Sequence, residues 1–532
     1  MKHMKKILAV VLAATMVMAM GVTAFADTTK TTYTITMDTT TGHTYGAYQV
    51  FTGDLSVDDE GVKTLSNIVW GNGVNGTSLL AALQADTTYG AAFASCTNGK
   101  EVAKVLENYD NKGSDIEAIA KIIAANKATR AGQGTTSISG LDAGYYLILD
   151  ETAAADLPQG DTISRFMLEV VADVNVEAKD SHVSSEKKVQ DINDTTETAF
   201  SALQDSADHD IGDDVPYTLK FTLPADYAKY DHYYVAFQDD MSKGLTYKAG
   251  SAKIKYGSAD EVAIADPTAG TTTYTGGHKW IWEIMDLKAV AANLQAGDSV
   301  ILTYKATLNA DAVVGVEGNP NNLQVEYTSN PNKTGDGTSK PTDTGKTPID
   351  INIVFTYETV FNKVEPDGTG NKPLTGADFK LEKKVGTNWV PVTELHGASG
   401  INPIKTVSSS GTSFSFKGLD DGDYKLTETT TPTGYNTIEP IEFTITATHE
   451  VLSDNPKLTE LKGEKGSEFK MTAITDTNGN PTGELDADIL NQKGSVLPAT
   501  GGIGTTLFYI VGGILVIGAA VVLITRRRMD AQ

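Results

Sequence analysis

Residues 422–429 read GDYKLTET, and polar and apolar side chains alternate along them. A repeat of two places Tyr424, Leu426 and Glu428 on one face of a strand. Two of those three are apolar, so the face points to a core and carries a carboxyl group into it. Similar alternation runs through 32–37 (TYTITM), 217–223 (YTLKFTL), 299–308 (SVILTYKATL), 349–359 and 441–446 (IEFTIT). These runs are rich in Thr, Val, Ile and Tyr and are bounded by Gly, Asn, Asp and Pro. Many short strands separated by turns predict a mainly β chain of tandem antiparallel, immunoglobulin-like sandwiches.

One region departs from this pattern. Within 78–131 apolar residues recur at helical spacing, as at Ile116, Ile119, Ala120 and Ile123. Ser114 and Glu117 form a capping-box pattern at the start of that helix. The first domain is therefore expected to be a strand domain with a helical insertion.

Both ends of the chain carry processing signals. Lys2, Lys5 and Lys6 precede an apolar run over 7–20, and Ala24-Phe25-Ala26 fits the small-x-small rule. This predicts a signal peptide, 1–26, cleaved between Ala26 and Asp27. Near the other end, Leu497-Pro498-Ala499-Thr500-Gly501 stands before an uncharged apolar stretch, 507–524, long enough to cross a bilayer as a helix. Arg526, Arg527 and Arg528 follow as a cytoplasmic stop.

The remaining residues, 27–496, are too many for one core and enough for about three domains. The expected division is 27–180, 181–345 and 346–496, with 497–532 as the C-terminal signal. A turn-rich stretch, NPNKTGDGTSKPTDTGKTP (330–348), marks the second boundary. The one cysteine, Cys96, excludes an intramolecular disulfide and is expected to be buried. Secreted domains usually rely on such bridges, so this chain must be stabilised otherwise. A net charge of −25 argues against nucleic-acid binding and suits a soluble extracellular surface.

The C-terminal segment resembles the LPXTG cell-wall sorting signal of Gram-positive bacteria, whose three parts occur in this order. The resemblance implies that a sortase cleaves between Thr500 and Gly501 and passes the Thr500 carbonyl to an amine. Three stretches of the third domain resemble a CnaB-type domain. They are Phe361-Asn362-Lys363-Val364 with Pro373-Leu374-Thr375-Gly376-Ala377-Asp378-Phe379, the segment from Tyr424 through Glu428 to Tyr435, and Ala487-Asp488-Ile489-Leu490-Asn491. Carried over, Lys363 and Asn491 form an isopeptide bond that Glu428 promotes. The chemistry is sound on general grounds. A buried carboxyl group resists ionisation and a buried lysine tends to lose its proton. A neutral amine is a nucleophile, and a protonated carboxyl can assist the carbonyl and shuttle protons as ammonia leaves.

The middle domain, with Ser184-Ser185-Glu186-Lys187-Lys188-Val189, the segment Asp239-Asp240-Met241-Ser242-Lys243-Gly244-Leu245, and Asn319-Pro320-Asn321-Asn322, resembles the central domain of backbone pilins. The resemblance implies a bond from Lys187 to Asn321 with Asp239 as proton carrier. Lys188, Asn322 and Asp240 are neighbouring alternatives, because alternation lets only one of each pair face the core. No comparable triad is found in the first domain. At its end, Val174-Asn175-Val176-Glu177-Ala178-Lys179 is similar to the pilin motif, with Lys179 in the place of the lysine that accepts the next subunit's threonine. Glu177, Ala178 and Asp180 depart from the usual motif.

The expected function is thus a structural shaft subunit of a sortase-assembled pilus, with a monomeric wall-anchored adhesin or ancillary pilin as the alternative. The implied partners are pilus-type and housekeeping sortases, identical subunits in a covalent head-to-tail polymer, ancillary pilins, peptidoglycan and host surface ligands. The implied location is the cell surface, wall-anchored after a transient stay in the membrane. No cofactor or metal is expected. The stretches 367–371 and 476–480 hint at calcium loops but lack the later bidentate glutamate, and read as turns. No HExxH, P-loop or GxSxG pattern is present, so no enzyme acting on external substrates is expected.

Overall fold

The structure, a computed structural model, describes residues 32–38, 42–57, 62–109, 114–177, 181–494 and 503–529. The signal-peptide junction Ala26–Asp27, Lys179 and the pentapeptide 497–501 lie outside the described residues.

Strands dominate. In the N-terminal region, Lys63–Trp70, Tyr45–Val57, Gly144–Asp150 and Arg165–Val170 form an antiparallel sheet, joined at its edge by Gly132–Gly134. Tyr33–Asp38, paired with Ser137–Leu141 and Val174–Glu177, covers one face through Ile35, Ile138, Ile148 and Leu168. The other face is covered by the helices Gly76–Ala85, Gly90–Phe93, Gly99–Leu106 and Ser114–Ala125. Ile116, Ile119, Ala120 and Ile123 are all buried there, as their spacing predicts, and Cys96 is buried in the same cluster. Two helix starts are capped by side chains, Asn75 accepting from the Ser78 amide and Asn98 from the Glu101 amide, each at 3.1 Å.

The middle sandwich faces two sheets across one core. One runs Val262–Ala263, Lys253–Tyr256, Ser299–Leu308, Asp214–Thr222, Ser184–Val189. The other runs Ser206–Asp208, Asp350–Phe355, Asn319–Thr328, Val235–Met241, His278–Ile284, Thr268–Gly270. In the third sandwich the first strand, Tyr357–Asp367, lies parallel beside the last, Pro481–Leu490, with Lys363 opposite Ile489. Gly422–Thr430 sits in the facing sheet between Asp378–Val385 and Ile441–His449.

The stretch 349–359, which reads as one strand, is two. Asp350–Phe355 pairs with Asn319–Thr328 in the middle sandwich, and Tyr357–Asp367 begins the next. Its inward positions, Ile353, Phe355, Tyr357 and Thr359, keep one alternation through the break, so the pattern registers no change of partner. Val354 enters the middle core, whereas Ile353 and Phe355 enter the third.

A buried ionic joint links these two sandwiches. Lys383 is fully buried and donates to Asp194 at 3.3 Å, Asp210 at 2.5 Å and Asp420 at 3.1 Å. His449 approaches Asp208 at 3.2 Å, and His209 approaches Asp213 at 3.6 Å. Gly418, at φ +89°, lies so close to Ile211 that a side chain there would collide. Burial raises Asp210 to about 6, against the pull of Lys383, and raises Asp421 to about 7, with Asp208 adding to the shift. Burial opposes charge on His209 and His449, but Asp213 and Asp191 outweigh it at His209 and carry it to about 9. Asp191 and Asp208 carry His449 to about 10.

All four groups hold protons in the folded chain that the unfolded chain releases at lower pH. For the two aspartates the stability this contributes is complete only below their ordinary 3.8 and is lost as pH rises through about 6 and 7. For the two histidines it is complete below 6.5 and lost as pH rises through about 9 and 10. The melting temperature of the full mature chain is expected to fall steadily between pH 6 and pH 10. A flat or rising profile would contradict this assignment.

At the C-terminus one helix, Ile503–Met529, includes the apolar segment expected to span a membrane and ends on Arg526–Arg528.

Candidate functional site

Among the described residues three lysines are buried, Lys187, Lys363 and Lys383. Lys363 meets both an acid and an asparagine, and Lys187 meets an acid and a tyrosine whose hydroxyl holds an asparagine. In the middle sandwich, alternation along Ser184–Val189 turns Lys187 and Val189 inward and Lys188 outward, where Lys188 pairs with Asp205 at 2.5 Å. Asp239 points from the opposite sheet into the core. Asp240 points to the other face, where the Thr273 amide donates to it at 2.9 Å. Asn321 is fully buried and Asn322 half-buried. The inward members of the three pairs are thus Lys187, Asp239 and Asn321, all with no exposed surface.

Lys187 Nζ donates to Asp239 Oδ2 and, at 3.2 Å, to the Tyr304 hydroxyl. That hydroxyl lies 3.0 Å from both oxygens of Asp239 and accepts from Asn321 Nδ2 at 2.7 Å. Tyr304 and Tyr217 are cross-strand partners stacked 5.2 Å apart, and Lys187 Nζ sits 4.8 Å from the Tyr217 ring centre. Asn321 Oδ1 is buried and takes no hydrogen bond from the described residues. The burial of this apolar, aromatic chamber lowers the Lys187 ammonium below its usual range, although Asp239 resists. Burial likewise raises the Asp239 carboxyl, against Lys187. Both shifts favour a neutral amine beside a protonated acid.

The third sandwich arranges the same three groups differently. Lys363 lies on its first strand, and Asn491 follows its last, the Asn491 amide donating to the Val364 carbonyl at 3.0 Å. Lys363 Nζ donates to Asn491 Oδ1 and lies 3.4 Å from Glu428 Oε1. Asn491 Nδ2 donates to that same Oε1 at 3.0 Å. The other carboxyl oxygen accepts from the Thr431 hydroxyl at 3.2 Å and the Ile438 amide at 3.1 Å. The turn after the strand sets this geometry. Gly434, at φ +90°, reverses the chain, and its carbonyl accepts from the Gly494 amide at 2.9 Å, tying down the segment that follows Asn491. Burial lowers Lys363, with Glu428 opposing.

Lys383 is the instructive contrast. Burial opposes its charge too, but Asp210 and Asp420 prevail and hold it protonated well above the usual range. It is an ion-pair hub, without the neutral amine that attack on a carbonyl requires.

Val176 is buried and Val174 half-buried, as their alternation predicts, on a strand pairing with Tyr33–Asp38. Asp476 accepts from the amides of Asn478 and Asn480, and Asp367 faces Gly370 across a hairpin, so both stretches expected as turns are turns. The sequence reading does not single out Tyr304 or Tyr217. Their strands' alternation turns both inward, but a linear pattern cannot show which core tyrosine meets a lysine.

Comparison with known proteins gives matches along the chain. Residues 211–331 match the Gram-positive pilin backbone subunit 2, Cna-B-like domain. Residues 359–457 match the SpaA prealbumin-like fold domain, and 489–530 match the LPXTG cell wall anchor motif. The trypsin-resistant surface T6 protein of Streptococcus pyogenes serotype M6 is 29% identical over 404 residues, covering 66% of this chain and 70% of that protein. The solved T6 backbone pilin of serotype M6 S. pyogenes shares the fold, with a TM-score of 0.51 at 19% identity over 87% of this chain and 98% of that one. With a pilin-backbone domain, a prealbumin-like domain and an anchor motif in this order, the chain has the domain make-up of a Gram-positive backbone pilin that is anchored at the cell wall through an LPXTG motif.

Proposed function

We propose that this chain is the shaft subunit of a covalent pilus, joined head to tail when a pilus sortase transfers the Thr500 carbonyl of one subunit to Lys179 of the next. A housekeeping sortase then passes the base of the fibre to peptidoglycan. Residues 27–180, 181–345 and 346–496 act as its three modules, with the strand Asp350–Phe355 shared between the last two. The fibre, with ancillary pilins, supports adhesion. Such an assembly is open and heterologous rather than a closed oligomer.

Two internal crosslinks, Lys187 to Asn321 and Lys363 to Asn491, stabilise the subunit. The observation that carries this reading is the pair of buried lysine–acid–asparagine clusters, each beginning on its module's first strand. Burial leaves the amine neutral and nucleophilic. It also holds Lys363 against the Asn491 amide, and Lys187 and Asn321 against one Tyr304 hydroxyl, which makes the attack effectively unimolecular. Asp239 and Glu428 take the proton released by the amine and return it to the departing nitrogen. Each bond forms once, with loss of one ammonia, so the chemistry is self-modification.

Tandem mass spectrometry on fibres released from the cell surface tests the reading. A branched peptide joining Thr500 to Lys179, and one ammonia missing from each internal pair, are the expected results. Monomer linked only to wall peptide would overturn polymerisation and leave a wall-anchored adhesin.

A further inference from the structure

Resting on the crosslink reading above, we infer that Tyr304 is a catalytic proton carrier for the middle-module bond, relaying between Asp239 and the departing nitrogen of Asn321. Its hydroxyl touches every reacting group. It lies 3.2 Å from the attacking Lys187 Nζ, 2.7 Å from Asn321 Nδ2 and 3.0 Å from each oxygen of Asp239. Asn321 also eases the charge on Asp239, yet the hydrogen bond its amide makes runs to the phenol.

The third module shows why the relay is needed in the middle one alone. Glu428 Oε1 reaches both Lys363 Nζ and Asn491 Nδ2 directly, at 3.4 Å and 3.0 Å. Aspartate is one methylene shorter than glutamate, and in the middle module the 2.7 Å hydrogen bond from the Asn321 amide goes to the phenol, which in turn donates to Asp239. Asp239 and Tyr304 together do the work of Glu428 alone. Burial lifts the Tyr304 hydroxyl well above its usual range, and Asp239 adds to the shift, so the group works as a neutral phenol that accepts one proton as it gives another.

The step balances. The Lys187 Nζ lone pair attacks Asn321 Cγ, forming the N–C bond and placing the displaced π pair on Oδ1. Tyr304 then gives its proton to Nδ2 and takes one from the Asp239 carboxyl. The C–N bond to Nδ2 breaks with its electron pair on nitrogen, and the carbonyl re-forms. Nζ gives its surplus proton to Asp239, restoring the acid, and ammonia leaves.

The test follows ammonia loss, by intact mass and peptide mapping, in full-length chains sampled after cell-free synthesis. Wild type is expected to lose one ammonia at the middle module and one at the third. Tyr304→Phe should lose the third-module ammonia at the normal rate and slow the middle one about a hundredfold or more, the usual range for a removed general acid. Adding Asp239→Glu to Tyr304→Phe should restore the middle bond, because the longer carboxyl reaches the amide unaided. A Tyr304→Phe chain that crosslinks at the wild-type rate overturns the relay. So does one that is slow and not rescued by the longer acid, since that marks a packing role. A wild-type chain that keeps its middle ammonia would instead overturn the crosslink reading itself.

Discussion

Glu428→Gln is expected to keep its ammonia at the third module and to melt far below wild type. Glutamine matches the shape of the side chain and can still accept from Asn491 Nδ2, but it cannot take the proton that Lys363 must release. The bond would close a loop spanning 128 positions, from Lys363 to Asn491. By the chain-entropy argument used for disulfides, losing such a closure costs roughly 4–5 kcal/mol. For a module of this size that corresponds to a fall of roughly 10–20 °C in melting temperature. The variant also leaves Lys363, fully buried, without the carboxyl oxygen 3.4 Å away, which adds to the loss. Intact mass and a thermal melt measure both effects. An ammonia still missing from Glu428→Gln would remove Glu428 from the chemistry.

Lys179→Ala is expected to abolish the high-mass ladder of wall extracts while leaving monomer at the wall and both internal crosslinks intact. On the proposed linkage, a subunit without Lys179 cannot receive the next threonyl carbonyl, whereas its own Thr500 still can be passed to peptidoglycan. Lys179 lies just before the strand Ser184–Val189 that carries Lys187, and Thr500 lies just after Asn491. Pull entering at one and leaving at the other would meet a crosslinked strand at once. An unchanged ladder, read on denaturing gels, would show that another lysine accepts.

Much of this was legible in the chain itself. The inward triplet of Tyr424, Leu426 and Glu428 follows from alternation, and all three are buried. The helix bearing Ile119 and Ile123 follows from spacing. Whether Lys187 or Lys188 faces the core depends on strand register, which neighbouring lysines in a sequence cannot fix. Tyr304 stayed hidden because core tyrosines are common here and only contact across the sandwich distinguishes one. Lys383 stayed hidden because an alternating charge reads as solvated. Its burial depends on Asp194 and Asp210, which come from another module.

The strand Asp350–Phe355 carries a further consequence. It lends Val354 to one core and Ile353 and Phe355 to the next, so neither sandwich is complete without it. The two modules are therefore not exchangeable beads. A recombinant half cut at the turn-rich stretch before residue 349 strips an inner strand from the middle module. A cut after Phe355 leaves the third with an open flank. Homologous shuffling within such pilins should accordingly preserve the pair as one inherited block, and calorimetry should find the two melting in a single cooperative step.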